Sequence, residues 1–309
     1  MLEVGKSYTA YFSFRGFEQQ LKSDLKGIIF EHERIFVTEG PAQKTYWSQN
    51  TWHEAKVEKV ESIGKAAAFL KAIQRNWFPY HISSHRRLEL IQSKLPFIKK
   101  KRWDYLKPIP NNPVGSYTLL GENTLFYASK CSEKIPEGEL EFNEDKHNPP
   151  SRAYLKLWET FTRLQRMPKE GDKCLELGAC PGGWTWVIAG LGASVTAVDR
   201  SPLDPKLMNN PLISFESGDA FKYLPDTITG LNWIFSDLIC YPSKLYEFVI
   251  KWLETGEDIN YVCTIKFQGE EHYEWVEKFE KIPGSQVLHL YHNKHEFTWI
   301  NLAENRHKS

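Results

Sequence analysis

The sequence predicts an α/β protein in two parts. A doubly wound parallel sheet spans residues 146–309, and a basic α+β part spans residues 1–145. Three observations predict this. Short apolar strands alternate with helical patterns after residue 150, which is the signature of a parallel sheet wound on both faces. A glycine-rich turn, Gly178–Trp184, lies between a strand and a helix, and an acid, Asp199, ends the next strand. The segment 136–150, PEGELEFNEDKHNPP, is rich in Pro, Glu and Asn, and Pro149–Pro150 cannot continue a helix, so it marks the seam. A chain of 309 residues is long enough for two domains.

The N-terminal elements follow in order. Residues 6–14 (KSYTAYFSF) alternate as a strand does, and residues 16–26 (GFEQQLKSDLK) have helical spacing. Residues 34–38 and 44–47 read as strands. Residues 62–77 (SIGKAAAFLKAIQRNW) read as a helix capped by Ser62. Residues 116–120 and 124–128 flank Gly-Glu-Asn and predict a hairpin. In the C-terminal part, strands are predicted at 173–178, 194–199, 212–215, 231–236 and 260–267, closed by a strand pair at 286–291 and 296–302. Helices are predicted after the glycine turn, at 242–254 and at 270–281.

Composition excludes several classes. The chain is 41% hydrophobic with 11 Trp, enough for packed cores and too apolar for a disordered chain. The start, MLEVGKSYTA, lacks a basic segment followed by an apolar one, so no secretory signal is predicted. No apolar run approaches the roughly 20 residues of a membrane helix. Cys131, Cys174, Cys180, Cys240 and Cys263 form no CxxC pair, which predicts reduced thiols, a cytoplasmic protein and no metal site. Net charge is zero, but residues 1–140 carry 21 basic and 15 acidic side chains. Residues 65–107 alone hold 11 basic side chains against Glu89 and Asp104. That field suits a polyanion, most simply RNA. Arg86, Arg87, Lys99, Lys100, Lys101 and Arg102 are the candidate phosphate contacts, interleaved with Trp77, Phe78, Tyr80, Phe97, Trp103 and Tyr105 as candidate stacking groups. The same run could be a solvated face, and each aromatic could be core.

The C-terminal chemistry centres on Gly178-Ala-Cys-Pro-Gly-Gly-Trp184. Its glycines let a ligand approach the backbone ahead of a helix N-terminus. Asp199, 21 residues after Gly178, stands where such sheets hold a ribose diol. The loop is not GxGxxG, which favours a nucleoside cofactor over a dinucleotide. Asp219 and Asp237 end further strands and should converge on one crevice, although any one of these acids could be an ordinary cap. Lys266 ends the apolar strand NYVCTI beside Asp237, where a lysine either snorkels outward or works in the cleft.

These motifs resemble the FtsJ-type S-adenosylmethionine-dependent RNA 2′-O-ribose methyltransferases. Ser151-Arg-Ala-Tyr-Leu-Lys156-Leu resembles the family's entry motif, and GACPGGW its methionine-binding loop. The resemblance covers about residues 148–302. It implies a Rossmann-like methyltransferase sheet and a Lys–Asp–Lys–Glu tetrad falling on Lys156, Asp237, Lys266 and Glu296. It implies S-adenosyl-L-methionine held by Ser151, Gly178, Cys180, Pro181, Gly182, Gly183, Trp184, Asp199, Asp219 and Asp237, with no metal. Within the family the loop and the approach YHNKHE to the last strand are most similar to the type that methylates a cytidine ribose of large-subunit ribosomal RNA. The N-terminal start resembles that type's ferredoxin-like beginning, with a short, divergent THUMP-like RNA-binding region after it. On this reading Lys266 is the general base for a 2′-hydroxyl, with burial and the charge of Lys156 lowering its pKa and Asp237 pulling it the other way while orienting the amine, and Glu296 positions Lys156 and the ribose. A methyltransferase of a non-RNA acceptor and a catalytically silent RNA-binding protein are the alternatives, and neither explains the tetrad together with the basic segment.

Overall fold

A computed structural model of the chain describes residues 2–269 and 273–306. They divide into two compact units, Met1–Trp103 with Pro108–Glu141 and Asp104–Lys107 with Phe142–Ser309.

The N-terminal unit is built on one eight-stranded sheet. Its elements are β1 (Tyr8–Ser13), α1 (Glu18–Asp24), β2 (Ile28–His32), β3 (Ile35–Glu39), β4 (Ser48–Lys59), α2 (Ile63–Ile73), β5 (Trp77–Pro79), α3 (His85–Gln92), β6 (Gly115–Leu119), β7 (Thr124–Ala128) and β8 (Lys130–Cys131). The strand order is β2-β3-β1-β4-β7-β6-β5, with β8 on β4. The twelve-residue β4 joins two halves, pairing with β1 early and with β7 late. One core surrounds Trp52, Tyr80 and Phe126, and a second surrounds Leu70, Trp77 and Tyr117. The strand predicted at 44–47 is displaced to Ser48–Lys59. Its sequence, SQNTWHEAKVEK, hides its pattern because only Trp52, Ala55 and Val57 supply apolar side chains to the buried face. Helix α2 starts at the predicted cap, where Ser62 accepts from the Lys65 amide. It stops at Ile73, and Trp77 turns back to donate its indole N–H to the Leu70 and Gln74 carbonyls.

The C-terminal unit contains α4 (Tyr154–Leu164), β9 (Lys173–Leu177), α5 (Gly183–Gly190), β10 (Ser194–Asp199), β11 (Ile213–Ser217), β12 (Trp233–Ser236), α6 (Pro242–Leu253), β13 (Asn260–Lys266), α7 (Tyr273–Glu280), β14 (Ser285–Leu288), β15 (Glu296–Asn301) and α8 (Ala303–Arg306). The first three residues of the helix predicted at 270–281 lie outside the described residues. The sheet order is β11-β10-β9-β12-β13-β15-β14. Five strands are parallel, whereas β15 runs antiparallel to both β13 and β14, so the sheet is mixed at one edge rather than parallel throughout. From β9 the chain winds outward through α5 to β10 and β11, then restarts at β12 on the other side and winds the opposite way. Right-handed crossovers therefore place α5 and α6 on opposite faces. The strand order reverses between β9 and β12, and a crevice opens beyond their carboxyl ends.

Candidate active site

Helix α4 presents Lys156 inward because it is buried almost all round, from Tyr154 through Thr162. The Lys156 ammonium donates to Asp237 Oδ1 at 2.8 Å, to Asp237 Oδ2 at 2.9 Å and to Glu296 Oε1 at 3.0 Å. Asp237 follows β12, and its own amide is tied to the Leu177 carbonyl at the end of β9. Lys266 ends β13 and Glu296 opens the antiparallel β15, and the register of these two strands pairs the two residues directly. Lys266 Nζ lies 3.0 Å from Asp237 Oδ1 and 3.9 Å from Glu296 Oε2, and donates to the Asp237 carbonyl at 2.6 Å. Thr264 Oγ1 donates to the same Asp237 Oδ1 at 2.8 Å. Four residues predicted from separate segments therefore form one cluster in which a carboxylate oxygen bridges two lysines.

The electrostatics follow from that packing. Burial on its own would push the Asp237 carboxyl up, but Lys156 and Lys266 outweigh it and hold the carboxyl below its ordinary range. Burial would lower the Lys156 ammonium, but Asp237 and Glu296 outweigh it and raise its pKa. Lys156 therefore remains protonated, and its three N–H groups are spent on carboxylates. Beneath the cluster, Glu176 on β9 is fully enclosed and accepts from Thr185 Oγ1 at 2.6 Å. Burial pushes its carboxyl up to about 8, so it is mostly neutral at pH 7.

A cleft of about 590 Å³ opens beside the cluster, within the range of small-molecule sites. Of the predicted residues, Gly178, Cys180, Asp199, Asp219, Asp237 and Lys266 line it. Gly178 has φ +79°, and a Cβ there would come within 2.9 Å of the Leu238 backbone, so only glycine fits. Asp199 accepts the Cys180 amide on Oδ2 and the Ser201 amide on Oδ1. Asp219 accepts the Phe221 amide on Oδ1. The capping roles and the cleft positions of these two acids thus coexist, since each carboxylate retains acceptor capacity.

Ser151, Pro181, Gly182, Gly183 and Trp184 do not line this cleft. Trp184, expected on the cofactor, is 2% exposed, donates to the Ala153 carbonyl, and packs edge-on against Phe235. Its position as the second residue of α5 turns it toward the core, where its ring lies 5.8 Å from the Lys156 ammonium. Ser151 stands against Gly183, where a Cβ would meet its Oγ at 2.6 Å. Gly182 has φ +110° and is closed over by Leu207.

Two polar groups of the site escaped the sequence. Glu159, one helical turn after Lys156, is fully buried and accepts the Tyr291 and His292 amides as well as Arg163 Nε. It fixes the loop that delivers Glu296. Asn293 accepts from the Leu290 amide and from Thr298 Oγ1, and its Nδ2 lies 3.4 Å from Glu296 Oε1. Spacing at i, i+3 from Lys156 is the signal that could have found Glu159.

In the N-terminal unit the basic segment is only partly available. Lys100 pairs with Glu137 and the buried Glu139, and Arg87 donates to Asn123. Arg86, Lys99, Lys101 and Arg102 are exposed, Arg102 lying 3.7 Å from Glu141. The stacking platform is corrected. Trp77, Tyr80 and Trp103 are buried because they fill the cores, and Phe97 alone of the six stands fully out, at 80% exposure. In the C-terminal unit Tyr105 stacks on Trp158.

Residues 149–245 match the FtsJ-like methyltransferase family. A ribosomal RNA large subunit methyltransferase M from Marinomonas sp. is 29% identical over 78% of this chain and 75% of its own length. Its namesake from Halorhodospira halophila is 31% identical over 49% of this chain and 46% of its own. The chain thus spans three quarters of the first relative and about half the length of most of the others. Among solved structures, fibrillarin from Aeropyrum pernix with bound S-adenosyl-L-methionine is 14% identical, with 63% of this chain and 86% of that one aligned at a TM-score of 0.38. No helix among the described residues is long and apolar enough to cross a membrane.

Proposed function

We propose that this chain, whose residues 149–245 match the FtsJ-like methyltransferase family, moves a methyl group from S-adenosylmethionine to a ribose 2′-oxygen of large-subunit ribosomal RNA. The observation that carries this reading is the buried cluster of Lys156, Asp237, Lys266 and Glu296 beside the Asp199–Asp219 cleft. The relatives' names supply the class of RNA.

The cleft fits the cofactor. On this reading Asp199, at the end of β10, holds the ribose diol, and Asp219 accepts from the adenine amino group. Glycine at 178 keeps the loop backbone close against Leu238, just past the end of β12. S-adenosylmethionine, when bound, supplies an electrophilic sulfonium methyl group. Lys266 takes the proton of the 2′-hydroxyl while the oxygen attacks, because an alcohol is a poor nucleophile at neutral pH. The O–C bond forms, the methyl–sulfur bond breaks, and the proton on Lys266 returns to water. Asp237 orients Lys266 through both its carboxylate and its carbonyl. Lys156 stays an ammonium and holds Asp237 and Glu296 in register. Much of the acceleration comes from holding the two reactants in line. The exposed cations Arg86, Lys99, Lys101 and Arg102 meet RNA phosphates, and the protein works in the cytoplasm with its substrate.

The test is transfer of labelled methyl from S-adenosylmethionine to transcribed large-subunit ribosomal RNA, followed by alkaline hydrolysis. A 2′-O-methyl group removes the internal nucleophile, so label is expected in alkali-resistant dinucleotides. Label in mononucleotides would mean base methylation and would overturn this reading of the site.

A further inference from the structure

Two apolar side chains stand open at the mouth of the cleft. Ile239 is 79% exposed and Tyr241 59% exposed. Both lie on the short turn between Asp237 and α6, and both line the cavity that Lys266 lines. The methyl-transfer steps above use neither. Large apolar groups left in water beside a reactive cluster mark a surface that something covers.

The cavity is divided. Asp199, Asp219 and Phe221 lie on the side of β10 and β11, whereas Ile239, Tyr241, Lys244 and Lys266 follow β12 and β13. The acidic side suits the hydroxyl and amino donors of a nucleoside. The other side offers an aromatic ring, an aliphatic wall and two cations. Lys244, in the first turn of α6, lies 4.2 Å from the centre of the Phe221 ring, which holds its ammonium at the cleft between the two sides. An aromatic face beside cations is what an unpaired nucleotide requires: the base stacks, and the adjoining phosphate meets the charge.

We propose that Tyr241 and Ile239 form the subsite for the base of the acceptor nucleotide, with Lys244 meeting the phosphate next to it. This rests on the methyl-transfer reading and deepens it. It requires an acceptor that is single-stranded or extruded from its helix, since a stacked, paired base offers no free face. Stacking discriminates little among bases, so identity must be read elsewhere.

The test uses the full chain, transcribed large-subunit ribosomal RNA and labelled S-adenosylmethionine, comparing wild type with Tyr241→Ala, Tyr241→Phe and Ile239→Ala. Tyr241→Ala is expected to lower kcat/KM for RNA roughly 5- to 100-fold, with Ile239→Ala in the same direction and smaller. Tyr241→Phe should stay within about twofold of wild type, because the stacking face is kept. Cofactor affinity, measured by equilibrium titration, should be unchanged in all three. The side chains are exposed, so melting temperatures should match wild type. Transfer by Tyr241→Ala within about twofold of wild type would overturn the subsite. A loss of cofactor affinity equal to the loss of transfer would also overturn it, by assigning Tyr241 to the cofactor. A wild-type protein that leaves RNA unlabelled contradicts the methyl-transfer reading itself, whereas labelled wild type with indifferent variants contradicts the subsite alone.

Discussion

In the C-terminal unit, charge is buried, paired and concentrated at one point: two lysines and two carboxylates, from one helix, two strands and the residue that follows a third, meet within 2.8–3.9 Å. In the N-terminal unit a denser run of cations ends in unlike places. Lys100 closes onto Glu137 and Glu139, Arg87 onto Asn123, and Arg86, Lys99 and Lys101 remain in solvent. The difference teaches that count is a weak guide to function and position a strong one. A parallel sheet sends its strand ends to one edge, so a lysine or aspartate at such an end has its neighbourhood fixed by topology. Lys100, in an irregular segment, takes the carboxylates that the fold brings near.

The largest way to break this contrast is to remove a buried charge. Lys156→Ala leaves Asp237 and Glu296 with Lys266 as the one remaining lysine of the cluster. The expected loss is about 3–5 kcal/mol of stability, read by denaturant titration, together with loss of transfer. An unchanged stability would mean that the cluster is looser than its distances suggest.

Glu176 sharpens the same point through pH. Its folded pKa of about 8 lies above the ordinary 4.5, so its contribution is fully present below about 4.5 and is lost as pH rises through 8. Stability should therefore fall between pH 5 and pH 9 by an amount on the order of a few kcal/mol, and Glu176→Gln should flatten that slope. Parallel pH profiles of melting temperature for the two proteins would contradict the burial argument.

Asp199→Asn should weaken S-adenosylmethionine binding roughly 10- to 100-fold, seen in equilibrium titration, by removing a charged acceptor from the cofactor side. The smallest effects belong to the N-terminal unit. Lys99→Ala and Lys101→Ala should each lower the salt dependence of RNA affinity by about one unit of slope. Lys100→Ala should leave that slope alone and reduce stability instead, because the buried Glu139 loses a partner.

The same contrast explains what could be read from the sequence. The strands of the C-terminal sheet were legible because buried parallel strands are short apolar runs, and Gly178, Asp199, Asp237 and Lys266 were legible because they sit at the ends of those runs. Glu159 was not, because a glutamate in a helix reads as solvated, and only the folded loop 290–293 supplies the amides that enclose it. Trp184 adjoins the glycine turn in sequence yet points into the core, since a helix N-terminus rotates successive side chains by a quarter turn or more. Strand β4 was hidden by its charged face, and the antiparallel direction of β15 leaves no trace in composition.

The most direct measurement is single-turnover methyl transfer by Lys266→Met, with binding of S-adenosylmethionine and of RNA measured on the same preparation. The account predicts a loss of at least about 100-fold in rate with both affinities near wild type, as removal of a general base requires. A rate within a few-fold of wild type, with both ligands bound, would contradict it.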